Sequence, residues 1–253
     1  MILGDRLLYR LTPAFVMLAL LAAASCRAAV ITDTELKAKV QEATKDFKDI
    51  SMLGTVTYKN KKALAKIDAN YARLYDFKAA NVAFKEPDKL RMDGKLGMVK
   101  FQYVINGGLK IIRAPTIRFT KKEDYSADPA KLQDALDVGL VTVSLWRNRR
   151  VEVLDDPEAA TNGEIKLQLH WPKGEMVLYA WIDAKDLWLK KFEKRNPAGE
   201  LLLRVVYSNP RKAGGAIWMP TTVEVFASDG ERVGASEYSD IKANTGLEDS
   251  YFE

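Results

Sequence analysis

One cysteine, Cys26, and one histidine, His170, are all that this chain offers of the two residue types most used in metal and nucleophile chemistry. A single cysteine excludes an intrachain disulfide framework. The pair cannot complete a Cys/His metal site, which takes three or four ligands. No acidic run has the spacing of a calcium loop, so neither metal nor cofactor is expected. A Ser/His/Asp triad would have to use His170, which falls on the polar side of an alternating segment, and no G-x-S-x-G elbow is present. Gly94-Lys95-Leu96-Gly97 lacks the spacing and the Ser or Thr of a phosphate loop. The acidic pairs Asp155-Asp156 and Glu248-Asp249 lie in turn-like or terminal sequence. A solvated surface explains them better than a glycosidase pair does. The chain is expected not to be an enzyme.

Cys26 has a different meaning. Arg6 and Arg10 precede an uninterrupted apolar run over 14–24. That run is too short to span a bilayer as a helix and has the make-up of a signal-peptide core. Two cleavage readings compete. In one, Ala23-Ala24-Ser25-Cys26 is a loose lipobox and Cys26 carries the lipid. In the other, an ordinary signal peptidase cuts after Ala28 or Ala29. Residues 1–28 are therefore expected to be a signal peptide, possibly of the lipoprotein type, that sends the protein to the periplasm. A lipid on Cys26 would tether it to the outer membrane. The formal charge of +5 is too mild to require nucleic acid. It weakly favours an anionic membrane surface, outer or inner.

These residues must be held by something, and the pattern of the mature chain says what. Residues 33–46 predict a helix capped by Asp33 or Thr34, with Leu36, Val40 and Ala43 at helical spacing. Residues 61–71 predict a second, with Leu64, Ile67 and Tyr71 on one face. Residues 129–146 begin as a third: Pro129 sits in its first turn, and Leu132, Leu136 and Leu140 share a stripe. Gly139 and the β-branched run after it blur its end.

Most of the rest alternates with period two. Val99, Phe101, Tyr103 and Ile105 face one way; Ile165, Leu167, Leu169 and Trp171 do the same in 164–171. Further strands are expected at 51–58, 76–85, 88–94, 109–114, 148–154, 187–194, 200–208, 216–227 and 232–243. Turn sequences such as Asn106-Gly107-Gly108, Asn196-Pro197-Ala198-Gly199 and Ser228-Asp229-Gly230 separate them. Strands at such short spacing are antiparallel neighbours in a meander. The segment 176–182 is apolar on both faces and must be covered on both sides. No linker divides residues 31–253, so a single domain is expected, mainly β with helices, and monomeric.

Four stretches resemble the outer-membrane lipoprotein-sorting family (LolA/LolB-like). One is Phe84-Lys85-Glu86-Pro87-Asp88-Lys89-Leu90-Arg91-Met92, similar to the family's strand–Pro–strand turn. A second runs from Ile105-Asn106-Gly107-Gly108 to Ala114-Pro115. A third joins Ala180-Trp181-Ile182-Asp183, Lys190-Lys191-Phe192-Glu193, Gly199 and Val206-Tyr207-Ser208-Asn209. The fourth runs from Met219-Pro220 through Tyr238-Ser239-Asp240-Ile241-Lys242-Ala243-Asn244 to Ser250-Tyr251-Phe252. The resemblance implies an incomplete, strongly curved antiparallel β-barrel closed by a helical lid. It also implies a cavity for lipid or lipoprotein acyl chains, and no catalysis. The expected cavity lining is Phe101, Tyr103, Leu167, Leu169, Leu178, Leu203 and Val205, each on the apolar face of an alternating strand. The expected lid contacts are Leu132, Leu136 and Leu140. Glu86 stands where the family's carriers have an arginine that helps hold the lid, so apolar contact is expected to do that work here. A sensor or protein-interaction module of the same fold, with no transport role, is the alternative.

Overall fold

Period-two alternation becomes one antiparallel sheet in the computed structural model, which describes residues 31–253 apart from residue 68 and the side chains of 69–71. The strands are β1 (Asp49–Lys59), β2 (Ala79–Lys85), β3 (Lys89–Leu96), β4 (Val99–Asn106), β5 (Leu109–Ala114), β6 (Phe119–Asp124), β7 (Arg150–Leu154), β8 (Glu164–His170), β9 (Val177–Asp183), β10 (Leu189–Arg195), β11 (Leu201–Gly214), β12 (Ile217–Ala227) and β13 (Arg232–Ala243). Their spatial order is β6-β5-β4-β3-β2-β1-β13-β12-β11-β10-β9-β8-β7, a 13-stranded sheet. The chain starts in the middle at β1 and steps outward to β6. It then crosses to the far edge at β7 and steps back until β13 pairs with β1. The edge strands β6 and β7 do not pair with each other, so the barrel is open.

The topology explains the most useful feature of the fold. Residues 125–149 must connect the two edges, and they do so over the inner face. Within this one segment, Leu136, Val141 and Leu145 pack with β7–β13 residues such as Leu167, Leu203 and Val223. Ala135, Val138 and Leu140 pack with Ile50, Phe84, Leu90 and Ile105 from β1–β4. A short stretch can touch both halves of a sheet only if the sheet curls around it.

The expected third helix is corrected. The crossing segment holds three separate 3₁₀ turns, Pro129–Lys131, Leu136–Val138 and Val143–Trp146, and no α-helix. Local bonds compete with the helix there. The Asp134 carboxylate accepts from the Leu136 backbone N–H at 2.8 Å, and Asp137 accepts from the Asp134 N–H at 2.9 Å. Gly139, at φ +85°, then turns the chain into the left-handed region. A β-carbon at that position would lie 2.7 Å from Pro220 Cγ, so only glycine lets the segment sit this close to β12.

The helices that precede β2 cover the same inner face. α1 (Asp33–Thr44) starts with a reciprocal capping box, in which Thr32 Oγ1 accepts from the Glu35 N–H and Glu35 accepts from the Thr32 N–H. Thr32 is thus the cap, one residue before the expected pair. Asp33 instead accepts from the Val153 N–H at 2.6 Å and so ties α1 to the exposed edge strand β7. The expected second helix is two short ones, α2 (Lys61–Ile67) and α3 (Ala69–Leu74), and a further helix, α4 (Pro157–Thr161), precedes β8. Leu36, Val40 and Leu64, all fully buried, pin α1 and α2 onto β7–β13.

The outer face has its own cover on one side. Residues 245–253 cross β1–β5, and Phe252 is buried against Ala83, Val104 and Ile111. Asp49 anchors this strap by accepting from the N–H groups of Thr245, Gly246 and Leu247 and from the Thr245 hydroxyl. Lys85 and Lys89 both pair with Asp249 and hold its carboxyl down to about 2.

A candidate ligand-binding hollow

Directly paired residues of antiparallel strands share a face, so the register sorts the candidate lining. Met52, Val82, Met92, Tyr103 and Ile112 form one row across β1–β5 on the inner face. Gly54, Ala80, Gly94 and Phe101 form the next. The Phe77 ring drops onto Gly94, where a β-carbon would lie 2.5 Å from it, and meets Phe101 edge-on at a centroid distance of 6.1 Å. Tyr238 packs over Gly54 in the same way from β13.

The seven expected lining residues divide sharply. Leu167 and Leu169 are fully buried, and Leu178, Leu203 and Val205 are 9%, 5% and 3% exposed. All five belong to the cluster under α1, α2 and the crossing segment. Phe101 and Tyr103 lie on the same inner face but stay half-buried, as do Met92, Ile112 and Tyr238. The inner face is therefore more closely packed over β7–β12 than over β3–β5, with Tyr238 of β13 among the half-buried side chains. Of the three expected lid residues, Leu136 and Leu140 are buried and Leu132 is half-buried against the β1–β4 cluster.

The crossing segment is held by polar contacts as well as apolar ones, contrary to the expectation drawn from Glu86. Burial raises the Glu86 carboxyl above its usual range, and its Oε1 is buried with no hydrogen-bond partner among the described residues. Arg147 pairs with Asp88 at 2.9 Å. Arg149 is buried, pairs with Asp134 and lies over the Trp171 ring at 4.4 Å. Burial pulls its guanidinium down to about 10.

Sequence reasoning did not find the polar groups that reach the uncovered stretch. Asp137 projects from the crossing segment. Its side chain is accessible to water, yet desolvation by the surrounding protein pushes its carboxyl up to about 7, against the opposing charge of Lys194. Lys194 pairs with Leu178 and Leu203 in the register, which places it on the inner face among apolar neighbours. Desolvation first, then the Asp137 charge, raises the Tyr103 phenol, and the Tyr238 phenol responds in the same way with Tyr75 contributing. The buried Tyr103 hydroxyl has no hydrogen-bond partner among the described residues. β10 reads Leu-Lys-Lys-Phe-Glu-Lys-Arg, and only its register, not its sequence, puts Lys194 on the inner face. A separate groove of about 570 Å³, lined by Lys39, Glu42, Lys45, Asp46 and Lys185 among others, opens at the C-terminal end of α1 and does not involve these residues.

No protein-family model and no curated protein matches the chain. Solved structures do. A LolA superfamily protein from Nitrosomonas europaea superposes with a TM-score of 0.57 at 14% identity, over 88% of this chain and 98% of that one. A domain from Vibrio parahaemolyticus assigned to outer-membrane lipoprotein sorting superposes with a TM-score of 0.52 at 12% identity, over 86% of this chain and 97% of that one. The chain has the LolA-like fold. At such identities the likeness is one of architecture. The structure does not confirm the helical lid that the LolA-like resemblance implied, and the segment expected to form it holds 3₁₀ turns. Cys26 and the signal-peptide expectation lie outside the described residues. No helix among the described residues is long and apolar enough to cross a membrane.

Proposed function

We propose that residues 31–253 form a single envelope domain that binds lipid or lipoprotein acyl chains and is not an enzyme. The observation that carries this reading is the patch of half-buried, inward-facing Met92, Tyr103 and Ile112, with Phe101 in the next row, beneath a covering segment of short 3₁₀ turns. Apolar surface left partly wet inside a curled sheet is stabilised by an apolar ligand, at about 0.8 kcal/mol per buried CH₂. The names of the structurally similar proteins support the same class of cargo. Fold alone does not fix function. Leu132, Leu136 and Leu140 act as the inner contacts of a cover that lifts to admit the chain. Leu167, Leu169, Leu178, Leu203 and Val205 form the wall behind the site.

The membrane-surface part of the proposal rests on one corner of the sheet. Met98 (92% exposed), Ile117 (60%) and Phe119 (45%) protrude there, and the Lys100 N–H donating to Thr116 holds the two turns together. Exposed Lys95, Lys100, Arg118, Lys121 and Lys122 surround them. Apolar tips ringed by cations suit an anionic bilayer surface. In this reading the protein is periplasmic, and a lipid on Cys26 tethers it to the outer membrane.

The test is native mass spectrometry of the protein purified from its own host. A bound species of lipid mass is expected, with a mature chain beginning at a lipidated Cys26. Ligand-free protein that also fails to take up a fluorescent acyl probe would overturn the binding reading. An unlipidated chain beginning at Ala29 or Val30 would overturn the tether alone.

A further inference from the structure

The groove at the C-terminal end of α1 is separate from the hollow: none of Met92, Phe101, Tyr103 and Ile112 lines it. Its volume of about 570 Å³ is that of a small-ligand pocket. Its floor is apolar and draws on both core clusters. Phe47 and Ile217 belong to the cluster that includes Ile50 and Phe84, while Ala184 and Leu187 pack against the one that includes Leu167 and Leu203. The walls are built in place. The Asn244 side chain donates to the Asp46 carbonyl at 2.9 Å and accepts from the Lys48 N–H at 2.8 Å, which ties the exit of α1 to the end of β13. In the turn between β9 and β10, the Asp183 carboxylate accepts from the N–H groups of Lys185 at 3.0 Å and Asp186 at 2.8 Å. Leu187 leaves that turn at φ +56°, a left-handed conformation that a leucine rarely adopts. Strained non-glycine backbone clusters at ligand sites, and Leu187 lines this one. The rim carries charge. Lys45 closes on Glu42 at 2.6 Å. Lys39, Lys185 and Asp46 make no ion pair with any described residue. The uncommitted rim charge is thus two cations against one carboxylate.

We propose that this groove is a second binding site, for a small anionic amphiphile: a short aliphatic chain with a carboxylate head. The apolar body lies on Phe47, Leu187 and Ile217, and the head sits at Lys39 and Lys185. The balance of rim charge decides the sign of the head. Both lysines are exposed, so their contribution is small and is screened by salt. The apolar floor supplies most of the affinity. The site stands on its own residues and does not depend on acyl-chain binding in the hollow.

The experiment is a methyl-detected NMR titration of the protein labelled at Ala, Ile and Leu, at pH 8 and low salt. The ligands are octanoate, 1-octanol and octylamine, which share one chain length and differ in the head. Octanoate should shift the Ala43, Ala184, Leu187 and Ile217 methyls. It should bind about two- to fivefold more tightly than octanol, the worth of an exposed charge contact, and octylamine should bind most weakly. Lys39→Gln combined with Lys185→Gln should bring octanoate down to the octanol level at an unchanged melting temperature, because neither side chain pairs with the protein. Ala43→Phe should fill the groove and remove these shifts. The Ile112 methyl reports on the hollow separately. Shifts confined to Ile112 and its neighbours, or no shift at all, would overturn the groove as a site. Groove shifts of equal strength for all three ligands, unchanged in the double lysine variant, would overturn the anionic head.

Discussion

The two halves of the inner face carry the same sequence pattern and come to different ends. In β8, alternation places Leu167 and Leu169 inward, and both are fully buried. In β4, alternation places Phe101 and Tyr103 inward, and both remain half-buried. The strands do not differ in kind; what lies over them does. Helices α1 and α2 bring Leu36, Val40 and Leu64 down onto β7–β13. Over β3–β5 the cover consists of the 75–77 loop and the 3₁₀ crossing segment, with Asp137 where a packed wall would have an apolar side chain. Period-two alternation thus tells which side chains point inward. It does not tell whether inward means core or cavity.

The sharpest way to break this contrast is to put a carboxylate into each half. Leu167→Glu would bury an unpaired charge where nothing can solvate it, and it should abolish cooperative thermal unfolding. Phe101→Glu places the same charge where water already reaches. It should leave a folded protein with a modestly lower melting temperature and no acyl-probe binding. Equal damage from both substitutions would mean that β4 is core as well.

A second substitution tests how the cover is fixed. Arg149→Ala removes a buried guanidinium that pairs with Asp134 and stacks on Trp171. Leaving a buried partner uncompensated costs about 3 kcal/mol. Chemical denaturation should show that loss, and hydrogen exchange over 129–147 should quicken more than over 164–183. If exchange rises equally in both, the crossing segment is part of the core and not a cover.

The smallest effect is expected at Glu86. Burial raises its folded-state pKa above the unfolded value, so the folded protein holds that proton more tightly. Stability then falls as pH rises through the interval between the two values. Glu86→Gln removes this penalty at nearly the same side-chain volume. It should raise the melting temperature slightly at pH 7.5, by less than about 1 kcal/mol in stability, and change nothing at a pH where Glu86 is protonated in both states. A slight loss at pH 7.5 would show that the ionised carboxylate, through Arg147 nearby, holds the segment in place.

The strands were the most legible part of the sequence because side-chain alternation is a local signal. β4, β5 and β8 fall within a residue or two of their expected bounds. β6 was missed because Phe-Thr-Lys-Lys-Glu-Asp, at the sheet's edge and largely exposed, has no apolar face to alternate. The 129–146 helix failed for the opposite reason. Leu132, Leu136 and Leu140 do turn toward the sheet, but Asp134, Asp137 and Gly139 bind and bend the backbone locally, so inward spacing was real while helical hydrogen bonding was not. Asp137, Tyr103, Tyr238 and Lys194 come from four distant parts of the chain, and no local pattern links them.

The central claim is that ligand lies over β3–β5 and that β7–β13 is wall. An acyl chain bearing a diazirine, photolysed in the complex and mapped by peptide mass spectrometry, tests it directly. Adducts should fall within 89–114 and 132–138, on or beside Met92, Phe101, Tyr103 and Ile112. Adducts confined to 164–183 and 201–207, or distributed over the outer face, would contradict it.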